Sequence, residues 1–274
     1  MTSCGAILSR LRLSAIVVML VSAILLPAPA TAQSKWGRAL SGLAKAGRAA
    51  TITDEELAEM VGKEVAMMDK KNNVCSASSP YTKRLKRITS GMKDANGIKL
   101  NFKVYKTKEY NAFACPDGSV RVYSALMDVL SDDELLGVLG HEIGHVALRH
   151  SKKAWRSALL RSAASDAMGV VSSTWANVSD SFMGDICAEA LSAKNSRYHE
   201  TQADDYGYDF LKKSGKNPWA MGLAFMKLKQ MSGQSKYAKW LQAFSSHPDF
   251  DDRIDRMRRR AKADGYDTSA RKTK

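Results

Sequence analysis

The chain has 274 residues, with 42 Lys and Arg against 28 Asp and Glu, for a formal net charge of +14. That length suits one large domain, or one domain with a helical lobe, and the lack of internal repeats or low-complexity blocks excludes solenoid and fibrous architectures. The basic residues stand singly along predicted helices and in the tail, which reads as a solvated face; attraction to an anionic membrane surface is the alternative, and no nucleic-acid partner is expected.

Arg10 and Arg12 precede an apolar stretch from Leu13 to Leu26, and Ala30-Thr31-Ala32 supplies a small-residue cleavage site before Gln33. This pattern predicts a secretory signal peptide over residues 1–32 and a periplasmic or secreted product. Cys4 lies ahead of the apolar stretch, where it is not placed for lipidation, so no lipid anchor is expected. No later stretch reaches the length of a membrane span: the most apolar, Arg156 to Ala176, is interrupted by Arg161 and Asp166. The product is expected to be soluble.

Residues 33–50, rich in Gly, Ala, Ser and Lys, predict a weakly ordered arm ahead of a single domain over residues 51–263. Thr53 with Glu56 forms a capping box for a helix to about Asp69, and Pro80 suits the first turn of a second helix to about Lys93. From Lys99 to Tyr105 the residues alternate, with Leu100, Phe102 and Val104 on one face, which predicts a half-buried strand. Asn111–Cys115 and Ser119–Tyr123 predict two more strands about the turn Pro116-Asp117-Gly118, and a short helix should follow from Ala125 to Leu130.

Ser131 followed by Glu134 is a second capping box, with Asp132 and Asp133 in the first turn where the helix dipole favours acids. The helix it opens is apolar almost all round, as a helix buried inside a domain should be, and it carries His141-Glu142-Ile143-Gly144-His145. Histidines four residues apart project from one helix face and can grip one metal ion, while Glu142 points beside the pair, where a carboxylate can take a proton from water without being a ligand. His150 falls off that face if the helix runs on, and is expected at the surface, complementing the helix C-terminus.

Lys152 to Leu191 predicts two helices, broken near Gly169 and Gly184, making an excursion away from the strands. Arg197 to Lys213 is a helix closed by Gly215, Pro218 opens one to about Met231, and Asp251 to Ala263 is a last, very basic helix before a tail expected to fray over residues 264–274. The fold class is α+β, mainly helical, with a small sheet of about three strands beside the motif helix.

A hydrolytic metal site takes three protein ligands, and the third here has several candidates: Glu189, His199, Glu200, Asp204 and Asp205. Glu200 and Asp204 share a helix face, so one can bind metal while the other orients a ligand imidazole.

Together with Asn111-Ala112-Phe113-Ala114, Ser119 to Ser124 and His247-Pro248 followed by Arg253, these motifs resemble the HExxH gluzincin metallopeptidases of the HtpX and CAAX-prenyl-protease-like family, in its soluble periplasmic branch that includes LoiP and BepA. The resemblance runs from about Tyr81 to Met257. It implies a zincin-like fold and an endopeptidase of the bacterial envelope acting on unfolded or misassembled proteins. It implies one zinc ion per chain held by His141, His145 and Glu200, with Glu142 as general base and Asp204 behind a ligand. His247 is the candidate donor to the oxyanion, Asn111, Ala112 and Phe113 the edge along which substrate lies, and Arg253 a neighbour of substrate or of Glu200. The rival function is a chaperone-like assembly factor that holds clients with little proteolysis. Export would leave Cys75, Cys115 and Cys187 in an oxidising compartment, and a disulfide between Cys75 and Cys115, with Cys187 free, is expected.

Overall fold

Both capping boxes form, and the helices they start frame the molecule. In a computed structural model that describes residues 51–167, 182–193, 195–232, 247 and 249–269, α1 spans Asp54–Lys71 and its cap pairs the Thr53 hydroxyl with Glu56 N–H and the Glu56 carboxylate with Thr53 N–H. The expected signal peptide, the arm and the break near Gly169 lie outside the described residues. Helix α2 (Pro80–Ile88) ends a turn earlier than expected, because the chain then enters a hairpin, β1 (Asp94–Ala95) with β2 (Ile98–Lys99), through Asn96 and Gly97 at positive φ. Strands β3 (Asn101–Tyr105), β4 (Ala112–Ala114) and β5 (Ser119–Tyr123) make a sheet of order β3-β5-β4, with β3 parallel and β4 antiparallel to β5. Strand β4 is therefore an edge. Helix α3 (Ser124–Val129) leads to α4 (Asp132–Ala147), the motif helix, opened by Ser131 and Glu134.

The sheet separates two apolar clusters. On one face Val104, Ala112, Ala114, Val120 and Val122 pack with α4 and with α7 (Arg197–Lys213), α8 (Trp219–Ser232) and α9 (Phe250–Ala263). On the other, Tyr105, Phe113 and Cys115 pack with α1 and with α5 (His150–Ala167) and α6 (Phe182–Ser192). The expected excursion away from the strands is thus a second layer over them: α5 and α6 cover the sheet through Trp155, Ala158, Ile186 and Ala190. Strand β3 is exposed at Asn101, partly buried at Phe102 and Lys103 and fully buried at Val104 and Tyr105. Its Lys103 and Tyr105 meet α1 at Asp69, which also takes two hydrogen bonds from the buried Arg121 of β5 (2.8 and 3.0 Å).

The tail is tied down as far as Asp267 and not frayed from Asp264: Tyr208 and Lys212 donate to Asp264 (2.9 and 2.8 Å), and Asn217 donates to the carbonyl of Asp267 (2.8 Å). The expected disulfide is absent among the described residues. Cys75 packs against the first cluster, Cys115 is buried in the second, and all three thiols are free. Burial pushes the Cys115 thiol well above its ordinary pKa and that of Cys187 up to about 12. Among the described residues no helix is long and apolar enough to cross a membrane.

Candidate metal centre

Helix α7 crosses α4 where both are stripped to glycine. A Cβ on Gly207 would stand 2.9 Å from the amide nitrogen of His141, and one on Gly140 would stand 3.1 Å from Cα of Gly207. Only hydrogen fits there. This backbone contact brings Glu200 and Asp204 of α7 against His141 and His145 of α4, and all four side chains are buried.

His141 Nε2 lies 3.1 Å from His145 Nε2 and 3.5 Å from Glu200 Oε2, and His145 Nε2 lies 3.4 Å from Glu200 Oε1. Nδ1 of His247 joins them, 3.2 Å from His141 Nε2 and 3.0 Å from Glu200 Oε1. One donor atom from each of these four residues lies within 4.8 Å of the others. Ligands at bonding distance around a tetrahedral zinc stand roughly 3.3 Å apart, so the spacing of His141, His145 and Glu200 fits.

Proton positions support the same reading. Asp204 takes two hydrogen bonds from Arg253 (2.9 and 2.7 Å) and lies 2.9 Å from His141 Nδ1. A carboxylate held by a guanidinium only accepts, so His141 carries its proton on Nδ1 and turns the Nε2 lone pair toward the cluster. Arg253 Nη2 also stands 3.3 Å from that Nδ1, because both groups share one Asp204 oxygen. Two converging imidazole lone pairs beside a carboxylate repel one another, and a cation between them removes the repulsion. The residues present fit a metal ion.

Burial raises the Asp204 carboxyl, but the charge of Arg253 and the hydrogen bonds from His141 and Arg253 prevail and hold it at about 2. Burial acts likewise on Glu200, where His145 and His247 reverse it and leave the group lowered. Desolvation holds His145 down at about 3, a neutral ring able to offer a lone pair. His247 is lowered by burial yet raised on balance by Glu142 and Glu200.

Of the third-ligand candidates, only Glu200 and its partner Asp204 face the cluster. Glu189 pairs with Arg161, Asp205 with Arg256 and Arg260, and His199 stacks on His150. Arg253, expected beside substrate or Glu200, lies buried behind Glu200. Its Nη1 stands 2.7 Å from Glu200 Oε2, an ion pair not aligned as a hydrogen bond, and its other nitrogens are committed to Asp204. Glu142 faces His247 across 3.5 Å at a cleft of ≈ 200 Å³. Asn111, Ala112, Phe113 and Ala114 along β4 line the cleft together with Ala190 and Leu191 of α6.

The expectation that failed outright concerns His150, which is buried and not at the surface. Helix α4 ends at Ala147, Arg149 takes a left-handed conformation (φ 62°), and α5 starts at His150, which is folded back so that its Nδ1 lies 3.1 Å from His145 Nδ1. Burial lowers its pKa to about 4, with His199 and Lys153 adding to the effect. No glycine or proline marks the break, so spacing alone placed His150 on a helix that does not continue.

Residues 80–261 match the model of peptidase family M48. The chain belongs to that family. It is 40% identical to metalloprotease YcaL of Escherichia coli (strain K12) over 223 residues, 81% of this chain and 86% of the relative. Metalloprotease LoiP of the same organism is 36% identical over 231 residues, 82% and 88% of the two chains. A beta-barrel assembly-enhancing protease of Yersinia pestis is 31% identical over 179 residues, 61% of this chain and 36% of the longer relative. This M48 chain is therefore a metallopeptidase whose substrates are polypeptides, and the four-residue cluster is its candidate metal site.

Proposed function

We propose that the chain is a zinc endopeptidase of the bacterial cell envelope that hydrolyses peptide bonds in unfolded or misassembled proteins. The observation that carries this reading is the convergence of His141 Nε2, His145 Nε2 and Glu200 beside Glu142, at a cleft bounded by the edge strand β4. Those three residues would hold the zinc, which supplies Lewis-acid polarisation of a carbonyl and a lowered pKa for water. Glu142, at the cleft beside them, accepts the proton of the attacking water and passes it to the leaving amine. Asp204 fixes the tautomer of His141, and Arg253 keeps both buried carboxylates charged. An extended peptide adds to the free edge of β4 by main-chain hydrogen bonds, with Asn111, Ala112 and Phe113 as its neighbours, which makes few demands on sequence. His247, with Nε2 toward Glu142 and Nδ1 toward Glu200, is the donor to the developing oxyanion. Its Nδ1 is also one of the four atoms of the donor cluster, so the zinc content of His247→Ala separates the two roles.

Envelope location is supported by the signal-like pattern of residues 1–32, and the client class by the relative whose name joins protease to beta-barrel assembly. The test is incubation with casein, with and without a chelator, beside Glu142→Gln. Cleavage should stop with the chelator and fall by roughly two to four orders of magnitude in the variant, with zinc still bound. Intact casein beside zinc-loaded wild type would favour the chaperone-like assembly factor.

A further inference from the structure

The centre holds one more buried histidine than this chemistry uses. Both HExxH histidines turn Nδ1 away from the donor cluster to a polar partner, and the partners differ. His141 meets a carboxylate, Asp204. His145 meets a third imidazole: its Nδ1 lies 3.1 Å from Nδ1 of His150, whose Nε2 lies 3.2 Å from Gln202 Oε1. Gln202 Nε2 faces the hydroxyl of Tyr198 (3.2 Å) and its amide oxygen faces His150, the orientation that a metal-bound His145 requires, since its Nδ1–H then needs an acceptor on His150.

An amide oxygen only accepts, so His150 carries its proton on Nε2 and bears a lone pair on Nδ1. The facing Nδ1 of His145 must then donate, and its Nε2 is left with the lone pair that points at His141 and Glu200. The amide oxygen, His150 and His145 thus form one consistent row of donors and acceptors ending at the metal site. Backbone and packing hold the row in place: the left-handed Arg149 turns the chain back at His150, and the His199 ring stacks on the His150 ring at 4.1 Å and 20°.

We propose that His150 is a positioning residue for His145, fixing its tautomer and ring orientation toward the metal, and that Gln202 fixes His150 in turn. The inference rests on the reading of His145 as a ligand. Partners of this kind contribute ten- to hundredfold in metal affinity; a neutral acceptor adds no charge to the ligand, so about tenfold is expected.

The experiment measures zinc affinity of the full chain by competition with a chromophoric chelator, beside the thermal midpoint of the metal-free protein. His150→Phe keeps a ring on His199 but offers no acceptor, and should bind zinc about tenfold more weakly. His150→Asn loses the ring but can present an amide oxygen near the place of Nδ1, and should recover most of that affinity. Wild-type affinity in His150→Phe, or better binding by Phe than by Asn, overturns the positioning role. If His150→Phe does not fold, Gln202→Leu removes the group that selects the tautomer and should weaken zinc severalfold; unchanged affinity there overturns the inference. His145→Ala is the control: undiminished zinc binding in it overturns the metal-site reading itself, whereas loss there with retention in His150→Phe overturns only the inference.

Discussion

Replacing Gly207 by Ala should damage the metal site more than it damages the fold. The new Cβ would stand 2.9 Å from the backbone nitrogen of His141, 3.0 Å from Met221 Sδ and 3.2 Å from the carbonyl carbon of Gly140. The Met221 side chain can swing aside, but two of the three contacts are backbone of α4. Comfortable contact for such atoms begins near 3.5 Å, so α7 must retreat from α4 by roughly 0.6 Å. Glu200 rides on α7 and the two histidines on α4, so their separations of 3.4 and 3.5 Å would grow beyond what ligands of one ion tolerate, about 0.2 Å per bond. Overpacking costs about 1–3 kcal/mol, partly offset by the roughly 1 kcal/mol that Ala contributes over Gly inside a helix. Zinc affinity should therefore fall at least tenfold while metal-free stability drops by no more than about 2 kcal/mol, read by chelator competition and by urea denaturation. Gly62→Ala, whose Cβ would meet only Asp117 Oδ2 at an ordinary 3.5 Å, should leave zinc binding unchanged. A folded Gly207→Ala protein with wild-type zinc affinity would refute the argument that this crossing sets the donor spacing.

Arg253→Met should leave Asp204 and Glu200 as buried carboxylates without their cation and lower metal-free stability by about 3–5 kcal/mol in urea; a loss under 1 kcal/mol would show that the ion pairs are dispensable. The Asp69 carboxyl is raised by burial but lowered on balance by Arg121, Lys103 and Tyr105, so its contribution is full above the ordinary aspartate pKa of about 3.9 and is lost as pH falls below that toward the folded value. Asp69→Asn should flatten that part of the acid stability curve, and an unchanged acid slope would contradict the assignment. Alkylation of the denatured protein without reductant should modify Cys75, Cys115 and Cys187 alike, whereas any cystine-linked pair of peptides would overturn the free-thiol assignment.

What could be read from the residues was local chemistry. Ser131 with Glu134 fixed where α4 begins, and a register fixed at its start puts His141 and His145 on one face. The carboxylate pair on α7 was likewise visible as a spacing. The Asn96-Gly97 hairpin was equally local and was passed over, although Asn-Gly is the strongest short turn signal there is. The rest depended on contacts between segments distant in sequence. Tyr105 fell on the polar face of its strand until α1 supplied Asp69, and the Ala- and Ser-rich α5 and α6 gave no sign of which surface they would cover. His150 escaped for a related reason. It is turned inward because Arg149 takes a left-handed conformation that no glycine marks in the sequence.

A strand edge open to solvent is the feature by which sheets from different molecules join and aggregate. Strand β4 is such an edge, yet it is three residues long, its residues are buried, and it lines a cleft to which Ala190 and Leu191 of α6 also contribute. Another protein's sheet would have to bring its neighbouring strands and their side chains past α6 as well, whereas a single extended chain brings only itself. A short, covered edge is thus less open to a second folded copy than to one extended chain, the kind of partner that the proposed function requires.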